Sequence, residues 1–414
     1  MSEIKVNKIS PRSGTDVTLG DSGDTITVPT GATLDTSNST VTLPDDSVTT
    51  AKINNEAVTP AKLGYDYNQF RNIIINGDMS IAQRGTSATG LTGSGYNTCD
   101  RWRSQISSAG TWSQSQSTEV PSGQGFATSY KWDCTTADAS LAAGDSIIFQ
   151  QRVEAQFLQY LKKGTSNAES LTLSFWVRSN KTGTYIANLY DENNRNISKA
   201  YTISAADTWE KKTLTFAGDT SGAFGNDNAI GLYVQFFLAA GSNYTSGTLA
   251  TSWESYTAAN QAVGQVNLAD STANEWYITG VQLEAGTSAS EFEFLPIDVK
   301  LARCQRYYYV HVNGSGQHVS LGALYNPTYL VAEVRFPVEM RSVPSLIEGT
   351  GTNYYRFYRD DSSDDFNNWS DGISRATKVS TNLETSLNIS GTAGYGGIIE
   401  AINSASLIAF SSEL

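Results

Sequence analysis

The sequence predicts an all-β protein, on three observations. Apolar and polar residues alternate at strand period, as in "LTLSFWVRSN", where Leu171, Leu173, Phe175 and Val177 share one face. Thr172, Ser174, Trp176 and Arg178 take the other face. Hydrophobic residues make up only 39% of the 414, while Gly, Ser, Thr and Asn abound, which suits strands joined by polar turns. Only one segment reads as a helix, "QRVEAQFLQYLKKG", in which Val153, Phe157 and Leu161 step by four before lysines and a stop at Gly164.

Further strands follow in order. After "LTLSFWVRSN", "KTG" turns the chain into "TYIANLY" and "DENNRN" turns it again; "KKTLTF", "AIGLYVQFFLA" and "EWYITGVQLEAG" come next. Many short strands with one helix predict a jelly-roll β-sandwich over residues 65–297, where seven of the eight tryptophans lie. From 298 to 414 a second, distal β-sandwich is expected. In it "CQRYYYVHV" and "VSLGAL" flank "NGSG" as a hairpin, and the apolar "GGIIEAINSASLIAFSSEL" should be tied into a sheet.

Residues 1–64 differ in kind. All 44 aromatic residues and all three cysteines lie beyond them, so the large side chains of an ordinary core are missing there. Yet "DTITVPTGATLDTSNSTVTLP" alternates at strand period, and "DDSVTTAKI" and "NEAVTPAKL" form a near-repeat. A floppy linker is one reading. The other is a thin β-rich stalk or docking segment whose narrow apolar stripe is covered by copies of the same chain, giving a homotrimeric fibre.

Composition excludes several classes of function. A net charge of −13 with no Lys/Arg cluster argues against nucleic-acid binding. The most apolar run, residues 229–241, is too short to span a bilayer and is interrupted by Gln235, so no membrane insertion is expected. The polar start "MSEIKVNKIS" does not read as a signal peptide, and Cys99, Cys134 and Cys304 lack the spacing of a zinc site or disulfide framework. Synthesis in a reducing cytoplasm is the expectation.

Several stretches then resemble a known family. "RNIIINGDMSIAQRG" followed by "DRW" resembles the opening of a domain common in bacteriophage tail-fibre and receptor-binding proteins. "LTLSFWVRSNKTGTY" and "ITGVQLEAGTSASEFEFLP" resemble its middle and closing strands, and "LARCQRYYY", "FPVEMRSVPSL" and "IAFSSEL" resemble the distal domain that often follows. The resemblance touches residues 71–414 with the motifs in order. It implies a jelly-roll similar to carbohydrate-binding modules, with "NIIINGDM" as first strand near "WYITGVQLEAG" as last. It also implies a trimeric virion protein of the tail, assembled in the host cytoplasm, that docks to other virion proteins through its N-terminus and attaches to host surface glycans. The alternatives are a purely structural neck, head or tail fibre or adaptor, and a glycan-cleaving tailspike.

The chemistry points away from catalysis. The two histidines sit near no GxSxG serine or partnered cysteine, P-loop and Rossmann patterns are absent, and no coil of about twenty residues repeats as in a long β-helix. Sugar binding needs aromatic faces and hydroxyl partners. Trp176 and Arg178 oppose the leucine stripe, and Tyr233 and Gln235 oppose Leu232, Val234 and Phe236. If the two strands neighbour each other, these four line one face; otherwise Trp176 packs as core. The acidic stretch at 359–372, with Asp360, Asp361, Asp364, Asp365 and Trp369, lacks the glycine of an EF-hand loop and reads as a distal contact loop. Glu284 and Asp78 fall where jelly-roll carbohydrate modules often hold a structural calcium, on the resemblance alone. Finally, a turn at Asn313–Gly316 would set His311 opposite His318, with Cβ atoms about 4.5–5.5 Å apart, for a shared metal. Ordinary strand packing is the alternative.

Overall fold

The computed structural model describes residues 25, 27–28, 30–33 and 70–414. The expectations for residues 1–64 lie outside the described residues. From residue 70 onward the chain builds two β-sandwich lobes joined by one helix, Ile297–Gln305, which starts after Pro296.

The first lobe packs two antiparallel sheets face to face. One has six strands in the order Ser87–Leu91, Thr111–Ser117, Ser129–Thr136, Glu275–Ala285, Leu171–Ser179, Glu210–Phe216. The other has seven: Glu254–Ser255, Arg195–Ile203, Gly183–Asp191, Ile230–Ala240, Ser146–Glu154, Arg103–Ser107, Gly95–Tyr96. The inner faces meet in a core that includes Leu173, Phe175, Val177, Leu232, Val234 and Phe236, all sealed from water. Trp102, Trp112, Trp132 and Trp276 are fully buried in it, with Trp102 stacked on Phe149 at 4.7 Å. Such rings bring the largest apolar areas of any side chains, which explains how a 39% hydrophobic chain fills a core.

"RNIIINGDM" does lie against the closing strand, but not as a regular strand. Ile73 N donates to Leu283 O at 2.8 Å and Val281 N to Gly77 O at 2.9 Å. On either side of Gly77 the chain is bent by left-handed Asn76 and Met79 (both φ 59). The Asn76 side chain fastens the bend, donating to Ile81 O and Asp100 O and accepting from Ile81 N. Gly77 is required there, since a Cβ would come within 2.0 Å of Val281 O.

The expected helix is shorter and tighter. Gln151–Glu154 finish a strand, and Ala155–Leu161 form a 3₁₀ helix ended by left-handed Lys162. A 3₁₀ turn repeats every three residues, so Ala155, Leu158 and Leu161 face the core and Phe157 is left 45% exposed.

The distal lobe pairs a three-stranded sheet (Tyr308–Asn313, Leu407–Ser411, Ser345–Glu348) with a seven-stranded one. The latter runs Ser362–Phe366, Tyr355–Arg359, Gly396–Ala401, Gln317–Asn326, Tyr329–Arg335, Ser380–Thr385, Gly372–Ser374. The apolar terminal segment is the middle strand of the small sheet, as its composition suggested. The "NGSG" hairpin is not formed: the strands either side of it enter different sheets, because Val312 and Val319 both turn into the core between them.

Charged groups tie the lobes together. Arg306 and the Tyr307 hydroxyl converge on Glu154, which is fully buried. Burial alone would raise the Glu154 carboxyl, but these hydrogen bonds outweigh it and hold it below the usual range. Buried Arg101 pairs with Glu413 while lying 3.5 Å over the Tyr307 ring. Among the described residues no helix is long and apolar enough to cross a membrane.

Candidate functional site

Register places side chains in rows across a sheet. On the outer face of the first lobe's seven-stranded sheet, Arg103, Gln150, Gln235, Asn188 and Ser198 stand directly opposite one another on five neighbouring strands. The amides form a buried floor: Gln235 Nε2 donates to Gln150 Oε1 at 2.8 Å, and Asn188 Nδ2 to Ser198 Oγ at 2.9 Å.

The next row, two residues along each strand, is Arg152, Tyr233, Tyr190 and Asn196. Here the side chains are half-exposed, apart from buried Asn196. Tyr190 is the hub: its ring centroid lies 5.2 Å from Tyr233 and 5.2 Å from Tyr256, while Arg152 stands 5.3 Å over Tyr233. Burial, and then Tyr233 beside it, raises the Tyr190 phenol, so it stays a neutral donor at ordinary pH. Burial and neighbouring Arg152 pull the Arg103 guanidinium down. Neither arginine forms an ion pair with a described carboxylate side chain, although Arg152 Nη1 donates to Leu414 O at 2.6 Å. The result is a face of flat tyrosine rims beside two guanidinium donors, suited to stacking on a ring and donating to its oxygens.

Of the four predicted sugar-contacting residues, Tyr233 and Gln235 belong to this face, with Gln235 in its floor. Trp176 and Arg178 do not. Their strand lies in the six-stranded sheet, between Glu275–Ala285 and Glu210–Phe216, so the two pairs sit on opposite sheets. There Trp176 is half-buried between Lys211 and Thr279, and Arg178 donates to Asp207 and lies 4.9 Å over Tyr277. Alternation had told which residues share a strand face, not which strands are neighbours. Tyr190, Arg152, Gln150 and Arg103 were missed, although "FQQRV" and "ANLY" carry the same alternation.

Most of the remaining candidates have protein partners of their own. The acidic stretch is a hairpin whose two-residue turn, Asp360–Asp361, is exposed and left-handed (φ 41 and 57). Asp365 pairs with Arg356 and Asp364 with Arg359, and Trp369 is buried against Tyr355 and Phe366. Only Asp360 and Asp361 remain free for contact. His311 is bound through both ring nitrogens, to the Tyr309 hydroxyl at 3.0 Å and Val319 O at 2.7 Å, while His318 pairs with Glu400 across its sheet. The expected register is therefore not formed: the two histidines lie on strands of different sheets and do not stand opposite each other. Glu284 oxygens accept from Ser290 and Gln282, and Asp78 pairs with Lys300 at 2.6 Å, so protein donors occupy the expected calcium ligands. Among the described residues no group of three or more His, Cys, Asp or Glu could hold a metal ion.

No protein-family model matches the chain, and no curated protein matches it. Solved structures show similarity. TmCBM61 in complex with beta-1,4-galactotriose is 12% identical over 52% of this chain and 99% of that one, with a TM-score of 0.27. A putative sugar binding protein from Bacteroides thetaiotaomicron VPI-5482 is 12% identical over 52% and 99%, with a TM-score of 0.28. The enzymatically active domain of tailspike protein 4 of bacteriophage CBA120 is 14% identical over 52% of this chain, with a TM-score of 0.27, and the match spans 21% of that domain's chain. At these scores the roles of individual residues rest on this chain's own geometry.

Proposed function

We propose that the chain is a non-catalytic attachment fibre of a bacteriophage tail, trimeric, docked to other virion proteins through residues 1–64 and recognising host surface glycans. The observation that carries the glycan reading is the tyrosine face: Tyr190, Tyr233 and Tyr256 cluster half-exposed beside Arg103 and Arg152, over an amide floor. Pyranose C–H faces stack on such rings, and the guanidinium groups donate to hydroxyl or acidic oxygens. The ordered tail-fibre motifs from residue 71 onward support the virion setting.

The test is binding of the full chain to an array of bacterial surface glycans. Tyr233→Ala should weaken binding by about 1–3 kcal/mol, as an anchor side chain does, with thermal melting nearly unchanged because the ring is half-exposed. Undiminished binding by both Tyr233→Ala and Tyr190→Ala would remove the face from the proposal. Light scattering of the full chain should give about three times the 44.7 kDa of one copy; a monomer at micromolar concentration would remove the trimer.

A second reading, a structural adaptor that binds another virion protein, is favoured by an apolar row on the distal lobe. Tyr358, Ile398 and Leu321 stand opposite one another on three strands and are 40%, 50% and 68% exposed. Array binding at background, with capture of purified virion proteins, would select it.

A further inference from the structure

The 3₁₀ helix that displaced the expected α-helix leaves its aromatic residues facing outward. Phe157 and Tyr160 are 45% and 47% exposed, and Phe70, from the other end of the lobe's sequence, is 56% exposed. These three do not scatter. They line one cleft of about 270 Å³, with Ile73 and Ile75 behind them and Arg303 and Arg306 from the joining helix and its end.

The two arginines differ in one respect. Arg306 is neutralised: its fork grips Glu154 at 2.9 and 2.8 Å, and it lies 5.7 Å over the Phe157 ring as part of the wall. Arg303 makes no hydrogen bond or ion pair with any described residue. Glu293 is the acid that acts on it, but both Glu293 oxygens already accept backbone N–H groups, from Phe70 at 2.9 Å and Asn72 at 3.1 Å. The last turn of a helix favours a cation, which explains why an arginine is tolerated there. It does not explain why the guanidinium is left without a described protein partner beside apolar walls, where burial opposes its charge. The Asn72 amide cannot serve it, since that side chain is consumed by Val281 O, Ile74 N and Leu283 N.

We propose that this cleft binds a small carboxylate borne on a flat or apolar ring, the ring against Phe157 and Phe70 and the carboxylate on the Arg303 guanidinium. A planar fork matches a carboxylate with two parallel hydrogen bonds, and the low-dielectric walls strengthen them. Acidic sugars and aromatic acids both present this chemistry. The site is built from other residues than the tyrosine face and stands whether or not that face binds glycans.

The experiment is calorimetric titration of the full chain with D-glucuronate and benzoate, beside their neutral counterparts D-glucose and benzyl alcohol, and with acetate. At least one ring carboxylate should bind about tenfold more tightly than its neutral counterpart and than acetate. Which one does so identifies the source of the ligand. Arg303→Gln should erase that advantage, and Arg303→Lys should restore part of it. Phe157→Ala, at an exposed position that leaves the fold intact, should weaken the ring carboxylates at least fivefold and leave acetate unchanged. No advantage for either ring carboxylate, an advantage that survives Arg303→Gln, or acetate binding as well as the ring acids would each overturn the proposal.

Discussion

The two lobes each contain a seven-stranded antiparallel sheet with one face packed on a core, yet their outer faces have opposite chemistry. In the first lobe the row across the strands is Arg103, Gln150, Gln235, Asn188 and Ser198, flanked by half-exposed tyrosines. In the distal lobe the corresponding kind of row is Tyr358, Ile398 and Leu321, apolar and open to water. The same alternation in sequence therefore yields two kinds of surface, one built to hydrogen-bond and one that gains only by being covered. Geometry is shared; what each outer face can bind is set by every second residue.

The cores should behave alike despite that contrast. Trp102→Ala in the first lobe and Trp369→Ala in the distal lobe remove fully buried rings and should each cost about 3–5 kcal/mol in denaturant unfolding. A small loss at Trp369 would show that the distal lobe is the more loosely packed of the two.

The joint between lobes comes next in size. Glu154→Gln leaves Arg306 without its carboxylate and should cost roughly 3 kcal/mol at neutral pH. Its pH dependence has a definite sign. The native carboxyl is held below its ordinary value, so its contribution is complete above the unfolded value near ~4.3 and is lost as pH falls through the native one. The penalty of Glu154→Gln, measured as the difference in stability from the parent, should therefore shrink toward nothing in acid. A penalty that stays constant to pH 3 would assign it to packing instead.

How much of this was legible depended on the range of the interaction. The stripe of Leu171, Leu173, Phe175 and Val177 was readable because alternation is local, and all four are buried. That their strand pairs with Glu275–Ala285, while the Tyr233 strand lies in the other sheet, depends on contacts a hundred residues apart that leave no local periodicity. The helix was misjudged because seven residues hold too few turns to separate a period of 3 from one of 3.6. The histidine pair failed although its turn glycines are indeed left-handed (Gly314 φ 107, Gly316 φ 74), since a turn signal does not say whether the chain returns to the same sheet.

The smallest effects sharpen the comparison of outer faces. Trp176→Ala removes a half-buried ring from the six-stranded sheet and should cost about 1–2 kcal/mol of stability while leaving glycan binding at the tyrosine face intact. Leu321→Ser, on the exposed apolar row, should change the stability of an isolated chain by no more than about 0.5 kcal/mol. A larger loss that grows with protein concentration would mean that the row is covered by another copy.

The bend at Asn76–Gly77 has a consequence for chemical ageing. In a loose chain an asparagine followed by glycine loses its amide readily: the unshielded glycine nitrogen attacks the side-chain carbonyl, ammonia departs, and the ring reopens to an acid. Here the side chain is anchored by Ile81 and Asp100, and the glycine is wedged against Val281. The folded protein shields the amide at this Asn-Gly step, and the unfolded chain does not; Asn313, before Gly314, is exposed and has no such shield. Peptide mapping of stored samples should find an acid at position 76 only in molecules that have opened, which makes this residue a slow recorder of time spent unfolded.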